Sequence, residues 1–454
     1  MRKRKQVLTR CLLLAAVAAL SVTTAGCQTG AGGTTSSEGT VSVEVVAPTD
    51  EMKIPDYDFE DGTVIRTLGT TDPGDMSEFY EKFRQLTGKS IKVEADVVSW
   101  AQLQSKLAVS ISSDEAYDFF GIESVCTPWY IRRDLFQDIS PYINVDDPLW
   151  ADLKPDMERL YYKGVLYGVP EAEPFNMYSI LYHTDLIEAA GLEDPRELFY
   201  KGEWTWDKFY EYAEALTEYD AQGNVSVYGA ALVSDYCTVF WGLSTGSDII
   251  TFAEDGTVLN NLSSPAWART GAFIYKLCTS GFIPGIQSDW GQDFINGKVA
   301  MGYNQLWWSA SNEDLAQLFK DGSVSFAPTP RDPEADDHYV YAWSNDNFIC
   351  KGAKNPEAAA AYLSVKRYLS LNPSQLDLDN TYKDRTEKWG FTDEDIQLAY
   401  TDMQKLKMVY AFSTQLPSFE KKTTLWNDMS NTAWATVVET VSPSLDEALA
   451  KINP

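Results

Sequence analysis

The sequence predicts an α/β protein divided into two lobes. From Thr63 onward, segments with strand character alternate with amphipathic helical ones, the pattern of a mostly parallel sheet flanked by helices. Helix openings recur along the chain, with a capping side chain or a proline where a first turn needs one. About 390 of the 454 residues follow the N-terminal signal and tether, enough for two domains of ~100–200 residues each.

The chain opens with Arg2, Lys3, Arg4, Lys5 and Arg10, then an apolar run from Cys11 to Val22, then Thr24-Ala25-Gly26-Cys27. A basic flank, a short apolar core and small residues describe an export signal. The run is well short of the ~20 residues that cross a bilayer. A cysteine after Ala-Gly resembles the bacterial lipobox, with Thr24 where Leu is usual. On that reading Cys27 is lipidated and holds the protein at the outer face of the cell membrane. An ordinary cleaved signal with an incidental cysteine is the alternative. Gln28 to Thr40 is Gly, Ser and Thr with little apolar content, a flexible tether. Val41 to Gly62 is acidic and contains proline, and order is expected to begin near Thr63.

In the body, Val64 to Leu68 reads as a strand. Met76, Phe79, Tyr80, Phe83 and Leu86 then recur at helical spacing until Gly88. Ile91, Val93, Ala95 and Val97 alternate as in a half-buried strand. A helix follows from about Trp100, and Tyr117 to Ile122 is the next strand. Thr205, Ser264-Pro265 and Asn355-Pro356 each open a later helix, their side chains set to satisfy free amides. Ligands of such sheets are received at the C-terminal ends of the strands.

Charge narrows the partners. The signal carries five basic residues and no acidic one, so the remainder has 37 − 5 = 32 Lys and Arg against 66 Asp and Glu, a net of −34. Nucleic acid and anionic membrane surfaces repel such a chain. Cys126, Cys237, Cys278 and Cys350 are widely spaced, without CxxC, so neither zinc nor dithiol chemistry is supported. Buried thiols are the default, and a disulfide is open to an exported protein.

Catalytic patterns are weak. Gly242-Leu-Ser244-Thr-Gly246 matches a nucleophile elbow, and Thr238 to Trp241 reads as the strand before it, but Ser247 to Phe252 reads as extended where a helix is needed. A loop of small residues is the better reading. The two histidines, His183 and His338, lack ligand-spaced partners, and HExxH, P-loop and GxGxxG patterns are absent. Asp377, Asp379 and Asp384 read as a solvated acidic loop rather than a calcium site. No catalytic residue, metal or cofactor is expected.

Aromatic residues are numerous, and several stand beside polar ones: Trp307 and Trp308 near Asn304 and Gln305, Trp343 beside Ser344-Asn345-Asp346, and Trp241 after Tyr236. A sugar ring packs its C–H faces on an aromatic plane, and its hydroxyls need carboxylate or amide partners. An apolar pocket with a few placed polar groups meets both needs. Each indole alone reads equally well as core.

Several segments resemble the sugar-binding class of the bacterial extracellular solute-binding proteins. They are Tyr162-Lys-Gly-Val-Leu-Tyr-Gly-Val-Pro170 with Leu181-Tyr-His-Thr-Asp-Leu186, Ala190-Gly-Leu192 with Trp204-Thr-Trp-Asp-Lys-Phe209, Phe294-Ile-Asn-Gly-Lys-Val-Ala-Met301 with Trp307 and Trp308, and Ser444-Leu-Asp-Glu-Ala-Leu449. Their order spans Thr63 to Pro454. Asn304-Gln305-Leu306 stands in place of the family's Gly-Pro, and Glu193 to Glu203 is an insertion.

The resemblance implies a two-lobe periplasmic-binding-protein-like (type II) fold with a hinge. Residues 63–175 would form lobe 1, to which the chain returns at about 325–370. Residues 176–324 and the C-terminal helices of 371–454 would form lobe 2. It places Trp307 as a sugar-stacking residue, Tyr236 in an earlier aromatic passage, and Glu123, Asn176 and Asp72 near hydroxyl-pairing positions. Glu171, Trp308, Trp241, Trp343, Asn345 and Asp346 complete the candidate ligand-binding set. The implied function is capture of a mono- or oligosaccharide by a monomeric, exported lipoprotein that delivers it to an ABC permease. A secreted carbohydrate hydrolase, an adhesive surface protein, and a binding protein for a peptide or polyamine are the alternatives.

Overall fold

A computed structural model describes residues 52–231, 234–284, 290–419 and 422–453, without the side chains of 234–238, 422–424 and 426. Its strands are β1 Thr63–Gly69, β2 Ile91–Val97, β3 Phe119–Glu123, β4 Tyr161–Tyr162, β5 Val165–Leu166, β6 Gly168–Pro170, β7 Tyr178–His183, β8 Glu218–Tyr219, β9 Val225–Val227, β10 Ile250–Phe252, β11 Val258–Asn260, β12 Met301–Gln305, β13 Val324–Pro328, β14 Tyr339–Tyr341, β15 Asn345–Ile349 and β16 Lys407–Val409.

Two sheets organise the molecule. The first has the order β2-β1-β3-β15-β6, and the second β12-β7-β13. Parallel pairing within them is confined to β1 with β2 and β3, joined by the helices Ser77–Thr87 and Trp100–Ser112. β15 runs antiparallel to both β3 and β6, because it arrives from the second sheet rather than through a crossover helix. The second sheet is antiparallel throughout. The mostly parallel expectation therefore holds only for β1 to β3.

The first sheet is covered on one side by the helices Ser77–Thr87 and Pro356–Leu371. Ala358, Ala359, Ala360 and Ala361 are all fully buried there, and their small side chains let the second helix lie close to β1 and β15. In the second sheet β7 is apolar on both faces. Ile180 and Tyr182 join the larger core cluster, while Leu181 points to a second cluster with Phe326, Trp389 and Phe391.

The chain passes between the sheets along Glu171–Met177, from β6 to β7, and again along 329–344, from β13 to β15. The two passages pair through Phe175 and Trp343, each amide donating to the other's carbonyl. After Pro356–Leu371 the chain returns, and Leu378 to Met403 contribute to the cluster behind the second sheet. The helices Lys422–Asn431 and Trp434–Ile452 then pack on Pro265–Thr279. β13 stays paired to β7 through Pro328, and the chain rejoins the first sheet at β15.

Other expectations are corrected. Order begins before Thr63: Tyr57 is 5% exposed, its hydroxyl bonds Ser364 Oγ at 2.7 Å, and Met52, Ile54 and Phe59 pack on the core. Thr238 to Trp241 lies in the helix Ser234–Leu243, not a strand. Asp377 and Asp379 lie on the helix Gln375–Lys383, where Asp377 closes a capping box with Ser374. Asn355 precedes its helix without capping it, its side chain donating instead to Val64 O at 3.2 Å. Cys278 and Cys350 are free thiols, which burial makes weakly acidic, raising Cys278 to about 12. Cys237 lies outside the described side chains. No helix of the described residues is long and apolar enough to cross a membrane.

Candidate functional site

Where the first sheet meets the crossing segments, four candidate residues come together. Glu123 ends β3 directly opposite Asn345, the first residue of β15. The amide of Glu171 donates to Asn345 O at 2.8 Å, and Asn345 Nδ2 reaches the Glu171 carboxylate at 3.3 Å. Glu171 also pairs with Lys366 at 2.5 Å, so its charge is already countered. Trp343 packs edge-on against Phe175, with ring centroids 4.9 Å apart, and its side chain hydrogen-bonds the Glu123 carboxylate. Partial burial raises the pKa of Glu123, the direction expected of a carboxyl drawn out of water.

The second sheet presents its own edge to this junction. β12 ends in Asn304 and Gln305, both half-buried, and Gln305 bonds the Tyr178 hydroxyl. The amide of Leu306 donates to Met177 O at 2.8 Å, tying the end of β12 to the crossing strand. The 3₁₀ turn Leu306–Ser311 follows, with Leu306 and Ser309 buried one turn apart. That spacing turns Trp307 outward, 50% exposed. Trp308 instead lies half-buried, 5.7 Å from the Trp290 ring, and a Cβ at Gly291 would sit 2.8 Å from its indole.

A pocket of about 460 Å³ is lined by Trp100 and Gln104 from the start of their helix, by Cys126, Trp129 and Tyr130 just after β3, and by Gln415 to Phe419. It stands beyond the C-terminal ends of β2 and β3, as open α/β sheets place their ligands. Its size suits a small solute. Trp100 is 46% exposed, and Ser418 in the lining holds φ at 62°, a left-handed conformation uncommon for serine. Trp100, Gln104 and 415–419 were missed from the sequence. Trp100 follows a strand end directly and could have been found by that position; 415–419 carries no signal that points to the site.

Three candidates belong to the interior and are corrected. Trp241 is fully buried against Phe209 and Phe273, with no face for a ligand. Asn176 is fully buried and closes a turn on itself: its Oδ1 accepts from Tyr178 N at 3.0 Å, and its Nδ2 donates to Tyr178 O. Asp346 is fully buried and grips Arg159 through two bonds of 2.5 and 2.6 Å, because alternation along β15 turns it away from Asn345. Asp72 is exposed in the loop after β1, where it accepts from Gly74 N at 2.8 Å. Tyr236 and Cys27 lie outside the described side chains.

The elbow-like serine is also accounted for. Ser244 is fully buried, accepts the Trp206 indole N–H at 2.9 Å and donates to Trp241 O. His183 Nε2 is engaged with Phe294 O and His338 Nε2 with Thr329 O. Among the described residues no group of three or more His, Cys, Asp or Glu could hold a metal ion.

A family profile described as bacterial extracellular solute-binding protein matches residues 69–365. No curated protein sequence matches the chain. Among solved structures, the sugar-binding protein MalE from Xanthomonas citri has a TM-score of 0.66 at 16% identity, covering 86% of this chain and 98% of that one. The cyclic alpha-maltosyl-1,6-maltose binding protein from Arthrobacter globiformis gives 0.62 at 14% identity, with 86% and 100% covered. The ABC substrate-binding protein Lmo0181 from Listeria monocytogenes, in complex with cycloalternan, gives 0.53 at 20% identity, with 86% and 98% covered.

Proposed function

The chain belongs to the bacterial extracellular solute-binding proteins, and on that premise we propose that it captures a mono- or oligosaccharide for an ABC importer without transforming it. The observation that carries the reading is Trp307, half-exposed on a turn held by two buried residues, at the edge of the second sheet next to the crossing segments. A rigid, accessible indole there is a surface on which a sugar ring can stack. Trp100 supplies a second exposed indole at the pocket beyond β3, and Glu123, Asn345 and Gln305 supply groups for hydroxyls. The relatives described above bind maltose-type and cyclic oligosaccharides by their names, which supports the same ligand class here.

Binding would be a hinge closure with no bond made or broken. A solute that touches both lobes only when they close shifts the balance toward the closed form by its differential affinity. The closed form then docks on the permease. The buried Ser244 hydroxyl, held between the Trp206 indole and Trp241 O, supports binding rather than hydrolysis. Export through the basic and apolar N-terminus, lipidation of Cys27 and a monomeric state complete the proposal.

A thermal-shift screen of mono- and oligosaccharides tests it. At least one sugar should raise the melting temperature and be recovered intact. A panel without a responder, or a sugar returned in pieces, would overturn the reading. In Trp307→Ala the loss of a stacked anchor should cost about 2 kcal/mol of binding, roughly thirty-fold in affinity, and most of the shift with it.

A further inference from the structure

A second groove, of about 520 Å³, shares no lining residue with the pocket beyond β3. The short helix Thr127–Ile131 divides the two: Trp129 and Tyr130 face the first, Pro128 and Ile131 the second. One wall of this groove is the β4–β5 hairpin of the first lobe, with Tyr161 and Tyr162. The other is the β10–β11 hairpin, with Phe252, which is fastened to the helix Trp434–Ile452 by Asn260 on Asp446 at 2.8 Å. An occupant therefore touches both halves of the molecule.

Arg132 lies across the groove. Its guanidinium sits between two rings, 4.9 Å from the Tyr162 centroid and 6.0 Å from that of Phe252, and donates to Gly256 O. Its Nη1 is buried and has no hydrogen-bond partner, and no carboxylate pairs with it among the described residues. A half-buried guanidinium without a counter-ion is an unmet need, since buried charges are ordinarily paired. Lys163 stands at the rim, also without an ion pair among the described residues, while the acidic residues there, Glu158, Glu254 and Asp255, are exposed. Tyr161 and Phe252 leave 47% and 40% of their surface uncovered beside that charge.

We propose that this groove is a second small-molecule site, which takes an aromatic carboxylate with its ring on Tyr161 and Phe252 and its carboxylate on Arg132 and Lys163. It is independent of the sugar proposal. The test uses the full chain and three probes: indole-3-acetate, its cationic counterpart tryptamine, and acetate, which has no ring. Calorimetry should show saturable binding of indole-3-acetate alone. Arg132→Met and, at an exposed position, Phe252→Ala should each weaken it about ten-fold or more, as loss of a charge-assisted bond or a stacking face does. Trp307→Ala should leave it unchanged. The proposal is overturned if indole-3-acetate does not saturate, if tryptamine binds as tightly, or if both groove variants bind like the parent. Loss of binding in Trp307→Ala would also overturn it, by placing the probe in the sugar cleft.

Discussion

Arg159 makes five side-chain hydrogen bonds, two to Asp156, two to Asp346 and one to Ser344, beneath the ring of Tyr410, whose hydroxyl returns to Asp156 at 2.7 Å. The group joins the first sheet to the segment after β16. Removing the guanidinium would strand a fully buried Asp346, so Arg159→Met should lose about 3–5 kcal/mol in urea unfolding. Asp248 is a different case: buried, it accepts from Ser413 and Ile249, yet desolvation lifts its pKa to about 6. The folded chain thus holds a proton that the unfolded chain, titrating near 3.8, gives up earlier. Its contribution is present below about pH 4 and is lost as pH rises through 6, on the order of 2–3 kcal/mol. Asp248→Asn should flatten the stability profile over that window, and a profile as steep as the parent's would contradict this. At this scale the sequence was only partly legible. The segment around Trp307 was legible as a motif, and its exposure comes from the turn that follows β12. Trp241 and Asp346 misled because a neighbouring polar residue does not say which way a side chain points.

Elements were legible where their ends are chemical. Thr205 and Ser264 do accept from the amides three residues on, Lys208 and Trp267. Gly88 does end its helix, at φ 71°. The apolar run Thr238 to Trp241 was misread because a short buried segment has no polar face to reveal its period. Asn355 is a cap by composition but not by contact, because Val64 in β1 and Asp118 just before β3 compete for its side chain. Close approach of elements was not legible at all. Gly302 in β12 lies under Trp290, and a Cβ there would fall 2.0 Å from the indole. Gly302→Ala should destabilise the second lobe by about 1–3 kcal/mol, read as a lower melting temperature. An unchanged value would mean that Trp290 moves aside freely.

At the scale of the molecule, two lobes were expected from length and from resemblance, and two sheets are observed. The direction of β15 was not foreseen, because strand polarity depends on where the chain has been, not on the residues of the strand. The same return brings Trp343 and Asn345 beside Glu123, so the site is a product of topology more than of any one segment. The acidity of the chain fits the sugar reading too, since a neutral ligand is indifferent to it.

Small-angle scattering with and without a saturating sugar from the screen tests the central claim, that the solute is held between the lobes. The radius of gyration should fall when sugar is added to the parent protein and should not fall in Trp307→Ala at the same concentration. A sugar that binds while the scattering profile stays the same would contradict the account, since the ligand would then be seated on one lobe alone.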